Sequence, residues 1–514
     1  MKKTKILWVL PAIITSLSLS GCSKILSLFQ KNVEVVSLDK KQLSYTYSTL
    51  ANHNFYEVDA TPNTGSPKLL VVPVWFTDSS AYISASNKAA VHSHIEKAYF
   101  GTEDDTGWHS VKTYYQELSH NIVNLTGVVT EWYECGQSSR AFYSEDAGGE
   151  NTMKLVNNAV NWYKTNSGDS SMSSFDVDNN GYLDGVVLIY GAPDYGALKN
   201  NDASNLWAYC YWMQQARGTE TNPVANVFFW ASYDFIYGKD NGFSNYASGD
   251  TSYCKLDTHT YIHETGHMFG LDDYYDYSNK YSPAGGFSMQ DYNVGSHDPY
   301  SVMALGWAKP MIPDSTCALS LKPFQTNHDL VLLKNPNNKS LSPFDEYFLV
   351  EFYTPTGLNS FDTAHKYSGQ YPQGPNKYGI RLWHVDARLV EAPSRENLEN
   401  MTITNSINFS KYYDHAMSNT YYSDRVADYT SPLGRGYADF NILQLIRNSK
   451  TATYKPTGHL SSNDLFYKGD TFKMSTYSKQ FVNTGKLNTG EDFRWSFKVN
   501  SISLEEAIIT LTLS

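Results

Sequence analysis

From Leu69 to Phe76 the chain reads LLVVPVWF, a continuous apolar run rich in β-branched residues and suited to a strand buried on both faces. The same texture returns in GVVLIYG, residues 185–191. Between these runs the period changes. VKTYYQELS (111–119) and NTMKLVNNAVNWYK (151–164) place apolar residues at helical intervals, and VNLTGVVTEWY (123–133) has strand character. Buried strands mixed with amphipathic helices up to about residue 312 predict an α/β (α+β) domain over residues 67–312. Beyond Pro313 the pattern shortens to strand candidates separated by turn clusters: DLVLLKN, EYFLVEFY, YGIRLWHVDA, WSFKVNSIS and AIITLTLS. A β-rich, sandwich-like C-terminal domain over residues 313–514 is expected.

The N-terminus follows different rules. Lys2, Lys3 and Lys5 precede a short apolar run and then small residues, the layout of an export signal over residues 1–21 and too short for a spanning helix. Leu19, Ser20, Gly21 and Cys22 look like a bacterial lipobox, which makes Cys22 the expected lipidation residue. Residues 22–66, closing on the cluster DATPNTGSPK, are expected to form a lipidated N-terminus, a tether and a possible pro-segment. The chain is therefore expected to be exported and held by a lipid anchor at the extracytoplasmic face of a bacterial membrane. Removing residues 1–21 takes away three lysines and no acids, moving the formal charge from −12 to −15. That balance disfavours nucleic acid as a partner. Cys135, Cys210, Cys254 and Cys317 form no CxxC pair; they are compatible with two disulfides or with free thiols.

The strongest chemistry lies in YIHETGHMFGLDDYYD, residues 261–276. His263 and His267 are four residues apart, so on a helix both imidazoles leave one face and reach one ion, a half-built zinc site. Glu264, one residue after the first histidine, falls beside the metal, where its carboxylate takes a proton from water. Gly270 can adopt φ > 0, end the helix and turn the chain back toward the ion. Asp273 is then the third ligand of HExxHxxGxxD, with Asp272 and Asp276 as alternatives. His259, one turn earlier on the same face, is expected to pack or to act in a supporting hydrogen bond.

GGFSMQDYNVGSHDPYSVMALGW (285–307) resembles the methionine-turn region and following helix of the immune inhibitor A family of secreted bacterial metallopeptidases. VVPVWFTDS, SVKTYYQELSHNIVNLTGVVTEW, DVDNNGYLDGVVLIYG, EYFLVEFY and YGIRLWHVDA are similar to stretches of that family in the same order. The resemblance implies a metzincin-like peptidase domain, Met289 as an apolar floor under the zinc, and Tyr292 as a stabiliser of the tetrahedral intermediate. DVDNNGYLD (176–184) places Asp176, Asp178, Asn180 and Asp184 at alternate positions, with Tyr182 offering a backbone carbonyl and Gly181 at the turn. These are the first nine positions of a calcium (Ca2+) loop, after which Val187 stands where a bidentate Glu would close it.

The sequence thus points to a Zn2+-dependent metalloendopeptidase, expected also to bind Ca2+, that hydrolyses extracellular proteins or peptides. The alternative is a catalytically inert or non-peptide-directed surface lipoprotein, an adhesin or glycan- or protein-binding module, that keeps the peptidase fold as a scaffold. His384 and Asp386 in WHVDA are expected to be structural.

Overall fold

A computed structural model describes residues 34–51, 59–238, 254–367, 371–393, 402–420 and 440–514. It shows a mixed α/β body joined to a β-rich region. The chain enters through a two-residue strand, β1 (Val35–Val36), and reaches the first apolar run as β2 (Lys68–Trp75). Next come β3 (Thr126–Val129), β4 (Tyr133–Glu134), β5 (Val186–Tyr190), β6 (Tyr209–Trp212) and β7 (Val227–Ser232). They form one sheet in the order β3-β2-β5-β7-β6, with β4 also pairing β2; every pairing is parallel except that of β6, the antiparallel edge.

Proline explains why β2 has two partners on one side. Odd-numbered residues of β2 face β3 and β4: Val71 O accepts from Thr130 N at 2.9 Å and Trp75 O from Cys135 N at 3.2 Å. Pro73 lies between them and has no N–H to give, so the neighbouring chain leaves after Val71 and rejoins at Val74. Both faces of the sheet are covered, as the continuous apolar runs require. On one face Leu70, Val72, Leu188 and Trp230 meet Leu155, Val156 and Val160 of the helix Glu150–Asn166. On the other, Leu69, Val71, Val187 and Phe229 meet the helices Lys88–Phe100, Val111–Leu118 and His259–Met268. Fully burying each such aliphatic side chain is worth about 1.5–3 kcal/mol.

In the β-rich region, β8 (Cys317–Leu321), β9 (Leu330–Leu333), β10 (Glu346–Tyr353) and β11 (Gly379–Asp386) lead to β12 (Leu389–Ala392), β13 (Thr402–Thr404), β14 (Tyr412–His415) and β15 (Leu443–Ile446). The chain then forms β16 (Thr471–Lys473), β17 (Trp495–Ile502) and β18 (Ala507–Leu513). The sheets β1-β8-β18-β17-β16 and β15-β11-β10-β9 share one core, in which Phe348, Val350 and Phe352 of β10 meet Phe497 and Leu511. The opposite face of β10, with Tyr347, Leu349 and Tyr353, belongs to the core of the α/β body. β10 and β11 are therefore buried along their whole length, and apolar packing runs unbroken across residue 313. His384 and Asp386 serve that packing: His384 Nε2 lies 3.0 Å from Glu346 Oε1, and Arg388 donates to Asp386 at 2.7 and 2.8 Å.

Part of the stretch read as tether is built into the body. β1 pairs with β8, Lys40 Nζ lies 2.8 Å from Asp329 Oδ1, and Leu43, Tyr47 and Leu50 are buried. Trp307 Nε1 donates to Asn63 O at 2.7 Å. The export signal expected over residues 1–21, the expected lipidation residue Cys22, and residues 23–33 and 52–58 lie outside the described residues. The four remaining cysteines are free thiols. Among the described residues no helix is long and apolar enough to cross a membrane.

Candidate metal centre

The helix His259–Met268 lies against β6 and β7, with Tyr261, Ile262, Thr265 and Met268 buried in the body. Tyr115 OH donates to Ile262 O at 2.6 Å and Tyr261 OH to Ser232 O at 2.9 Å, which fixes the rotation of the helix about its axis. Glu264 then meets the backbone of Cys210 on the edge strand β6, and His263 and His267 lie one turn apart with their rings together. Gly266 makes room beside them, since a Cβ there would collide with the Gln290 side chain. Gly270 ends the element at φ +101°, as the sequence requires, and the chain turns back.

That turn brings Asp273 to the histidines and points its neighbours elsewhere. Asp273 Oδ1 is 3.1 Å from His263 Nε2 and 3.2 Å from His267 Nε2, and the two Nε2 atoms are 3.2 Å apart. Asp272 faces His415 at 3.4 Å. Asp276 organises its own loop, accepting from Ser278 N at 3.1 Å and Lys280 N at 2.9 Å. The outer nitrogens of the ligand pair are already committed: His263 Nδ1 lies 2.7 Å from Met289 O, and His267 Nδ1 2.7 Å from Leu271 O. Donation from Nδ1 to these carbonyls leaves both Nε2 lone pairs pointing inward. Met289 is fully buried and acts on the site through its main-chain oxygen.

Asp273 Oδ1 has no properly directed hydrogen bond, and neither has Glu264 Oε2, both being buried. Two imidazole nitrogens, a carboxylate oxygen and an orphaned glutamate are the donor set and neighbour that a tetrahedral zinc ion with one open position takes, so the residues fit that ion. Electrostatics agree. Burial opposes charge on His267, but the Asp273 carboxylate outweighs it and raises the imidazole to about 10. Burial would raise Asp273 too, and the charge of His267 instead holds it well below the usual carboxylate range. Glu264 is pushed up, chiefly by burial, against the opposing charges of the histidines and a hydrogen bond from the Cys210 backbone on β6.

Two aromatic groups were not legible as site residues. Tyr277 OH donates to Asp273 Oδ2 at 2.6 Å, orienting the carboxylate from behind. Tyr367 and Tyr371 flank His259, each with its ring centroid 5.1 Å away, and burial drives that histidine down to about 3. The Tyr292 ring lies tilted 5.1 Å from that of Tyr275 and edge-to-face 5.5 Å from that of Tyr371, and its hydroxyl donates to Asn279 Oδ1.

A second cluster lies in the acidic loop. Asp176, Asp178 and Asp184 bring one oxygen each within 4.8 Å of the others. Asp176 accepts from Asn180 N at 2.9 Å and Gly181 N at 3.0 Å, and Asn180 Oδ1 accepts from Tyr182 N at 2.8 Å. Asp184 accepts from Lys68 N at 2.7 Å and Val177 N at 3.0 Å, and burial pushes its carboxyl up to about 8. Glu103, His109 and Glu117 form a third grouping, at ring-to-carboxylate distances of 3.7 and 3.6 Å.

Residues 66–187 match the family model described as Immune inhibitor A peptidase M6, catalytic domain. The chain carries an immune inhibitor A peptidase M6 segment. Over these residues the similarity supports a peptidase of the metallopeptidase kind, acting on protein or peptide substrates. The M6 segment spans β2 to β5 and the acidic loop; His263, Glu264, His267 and Asp273 lie beyond it. No curated protein matches the chain.

Proposed function

We propose that the chain is a metzincin-like zinc endopeptidase, exported and anchored through Cys22, that cuts extracellular proteins. The observation that carries this reading is the convergence of His263 Nε2, His267 Nε2 and Asp273 Oδ1 within 3.2 Å, beside a buried Glu264 oxygen that has no partner. Zinc held by these three residues supplies a Lewis acid that polarises the scissile carbonyl and lowers the pKa of water. Glu264 takes a proton from the attacking water as the new C–O bond forms, then delivers it to the leaving nitrogen as the C–N bond breaks. Its elevated affinity for a proton suits both halves of that exchange. Met289 and Leu271 keep the imidazoles in register through their carbonyls, and Tyr277 does the same for Asp273. Tyr292 is assigned to the rim, as a candidate hydrogen-bond donor to the developing oxyanion. The acidic loop is read as a calcium site that braces the body through Asp176, Asp178, Asn180, the Tyr182 carbonyl and Asp184.

The test is Glu264→Gln in the full-length protein. The reading expects unchanged zinc content and fold with casein hydrolysis almost abolished; full activity in this variant refutes it.

A further inference from the structure

Asp59 opens the cluster DATPNTGSPK ahead of β2 and has had no role in either ligand cluster so far. It is 3 % exposed, and its Oδ1 has no hydrogen-bond partner. Its Oδ2 accepts from the side-chain amide of Asn180, and the same amide donates to Asp178 Oδ2 at 3.0 Å. One neutral NH2 group is therefore wedged between two carboxylates, next to the oxygens that Asp176, Asp178 and Asp184 bring together. The nearby cation is otherwise engaged: the Arg217 guanidinium lies 5.2 Å over the Tyr182 ring and reaches the Asn180 carbonyl at 3.5 Å. A buried carboxylate oxygen with no donor is costly, and a hard divalent cation that takes six to eight oxygens is the partner that suits several such groups at once.

The backbone around Asp59 is fixed to the site on two sides. Trp212 Nε1, from the edge strand β6, donates to Asp59 O at 2.9 Å. Two residues on, Thr61 Oγ1 donates to Asp184 O at 2.7 Å while Thr61 N donates to Met268 O at 2.8 Å. Met268 is the last residue of the helix that carries both histidines. A single threonine thus spans the acidic loop and the end of that helix.

We propose that Asp59 is the fourth carboxylate of a calcium-class site with Asp176, Asp178 and Asp184, and that a cation there fastens the C-terminal end of the helix His259–Met268 through Thr61. This rests on the reading of the acidic loop as a calcium site and is independent of the zinc assignment. Asn180 would turn its amide so that oxygen rather than nitrogen faces the ion, releasing Asp59 Oδ2 to bind.

The experiment uses the full-length protein stripped of calcium and kept in a zinc buffer. Terbium luminescence with Ca2+ competition measures binding to wild type, to Asp59→Asn, and to Asp202→Asn as an exposed control. Asp59→Asn should weaken Ca2+ binding at least tenfold, while Asp202→Asn matches wild type. In wild type alone, which removes any dependence on how a variant folds, Ca2+ should slow amide exchange in peptides covering residues 59–66 and 262–271. Equal affinity in Asp59→Asn overturns the role of Asp59. Binding without slower exchange in the helix peptide overturns the fastening. Failure of wild type to bind Ca2+ overturns the calcium reading as a whole, while zinc content, measured on the same samples, reports separately on the peptidase centre.

Discussion

The two ligand clusters of the body differ in how their donors are held. Around His263 and His267 the supporting hydrogen bonds reach the outer nitrogens, from Met289 O and Leu271 O, while Asp273 Oδ1 and Glu264 Oε2 are left without properly directed partners. In the acidic loop the supports fall on the carboxylates themselves: both oxygens of Asp176 and both of Asp184 already accept backbone N–H groups. The first arrangement is preorganised for an ion, and its unmet groups make the site costly to leave empty. The second is a turn that closes on itself, to which a cation adds stability in proportion to its concentration. The proposed assignments follow this difference, chemistry for the first cluster and bracing for the second.

The largest expected effect breaks the first cluster's chemistry while sparing its metal. Glu264→Gln should lower kcat/KM for a fluorogenic peptide by about 10²–10⁴-fold, the range for a lost general base, with zinc per chain unchanged by elemental analysis. Next is Tyr277→Phe, which removes only the support behind Asp273. Loss of such an outer partner predicts roughly a 10–100-fold fall in zinc affinity or activity, measured by competition with a chromophoric chelator. The second cluster should answer to calcium and pH together. The Asp184 carboxyl is raised to about 8, so without the ion the folded state holds a proton between about pH 4 and 8 that the unfolded chain lacks, and stability is lost as pH rises through that window. Calcium competes with that proton, so the gain in melting temperature on adding Ca2+ should grow from pH 5 to pH 8. The smallest effect is local. Gly270→Ala forces a Cβ into positive φ at +101° and should cost about 1 kcal/mol or more of stability, with weaker zinc binding because the turn delivers Asp273.

Much of this was legible because local spacing decides it. The continuous run LLVVPVWF became a strand covered on both faces, and the four-residue interval of His263 and His267 placed both rings on one side of a helix. The positive φ of Gly270 was expected from the turn after the helix, whereas the choice of Asp273 over Asp272 and Asp276 stayed open until the fold placed it 3.1 Å from His263. What escaped depends on long-range packing. Tyr277 has no motif, and its role exists only because the chain after Gly270 folds back. The sequence between Cys22 and Ser66 is polar and turn-rich, so it reads as a tether, yet β1 adds to a sheet whose other strands begin at residue 317. The Pro313 boundary marks a change of texture rather than of packing, because β10 gives one face to each core. Asp59 is likewise separated by more than a hundred residues from the loop it faces.

Elemental analysis of the purified, folded, full-length chain tests the central claim most directly. One zinc per chain is predicted, lost in His263→Ala and in His267→Ala and kept in Glu264→Gln. A folded wild-type protein that carries no transition metal, and takes up none on titration, would contradict the account.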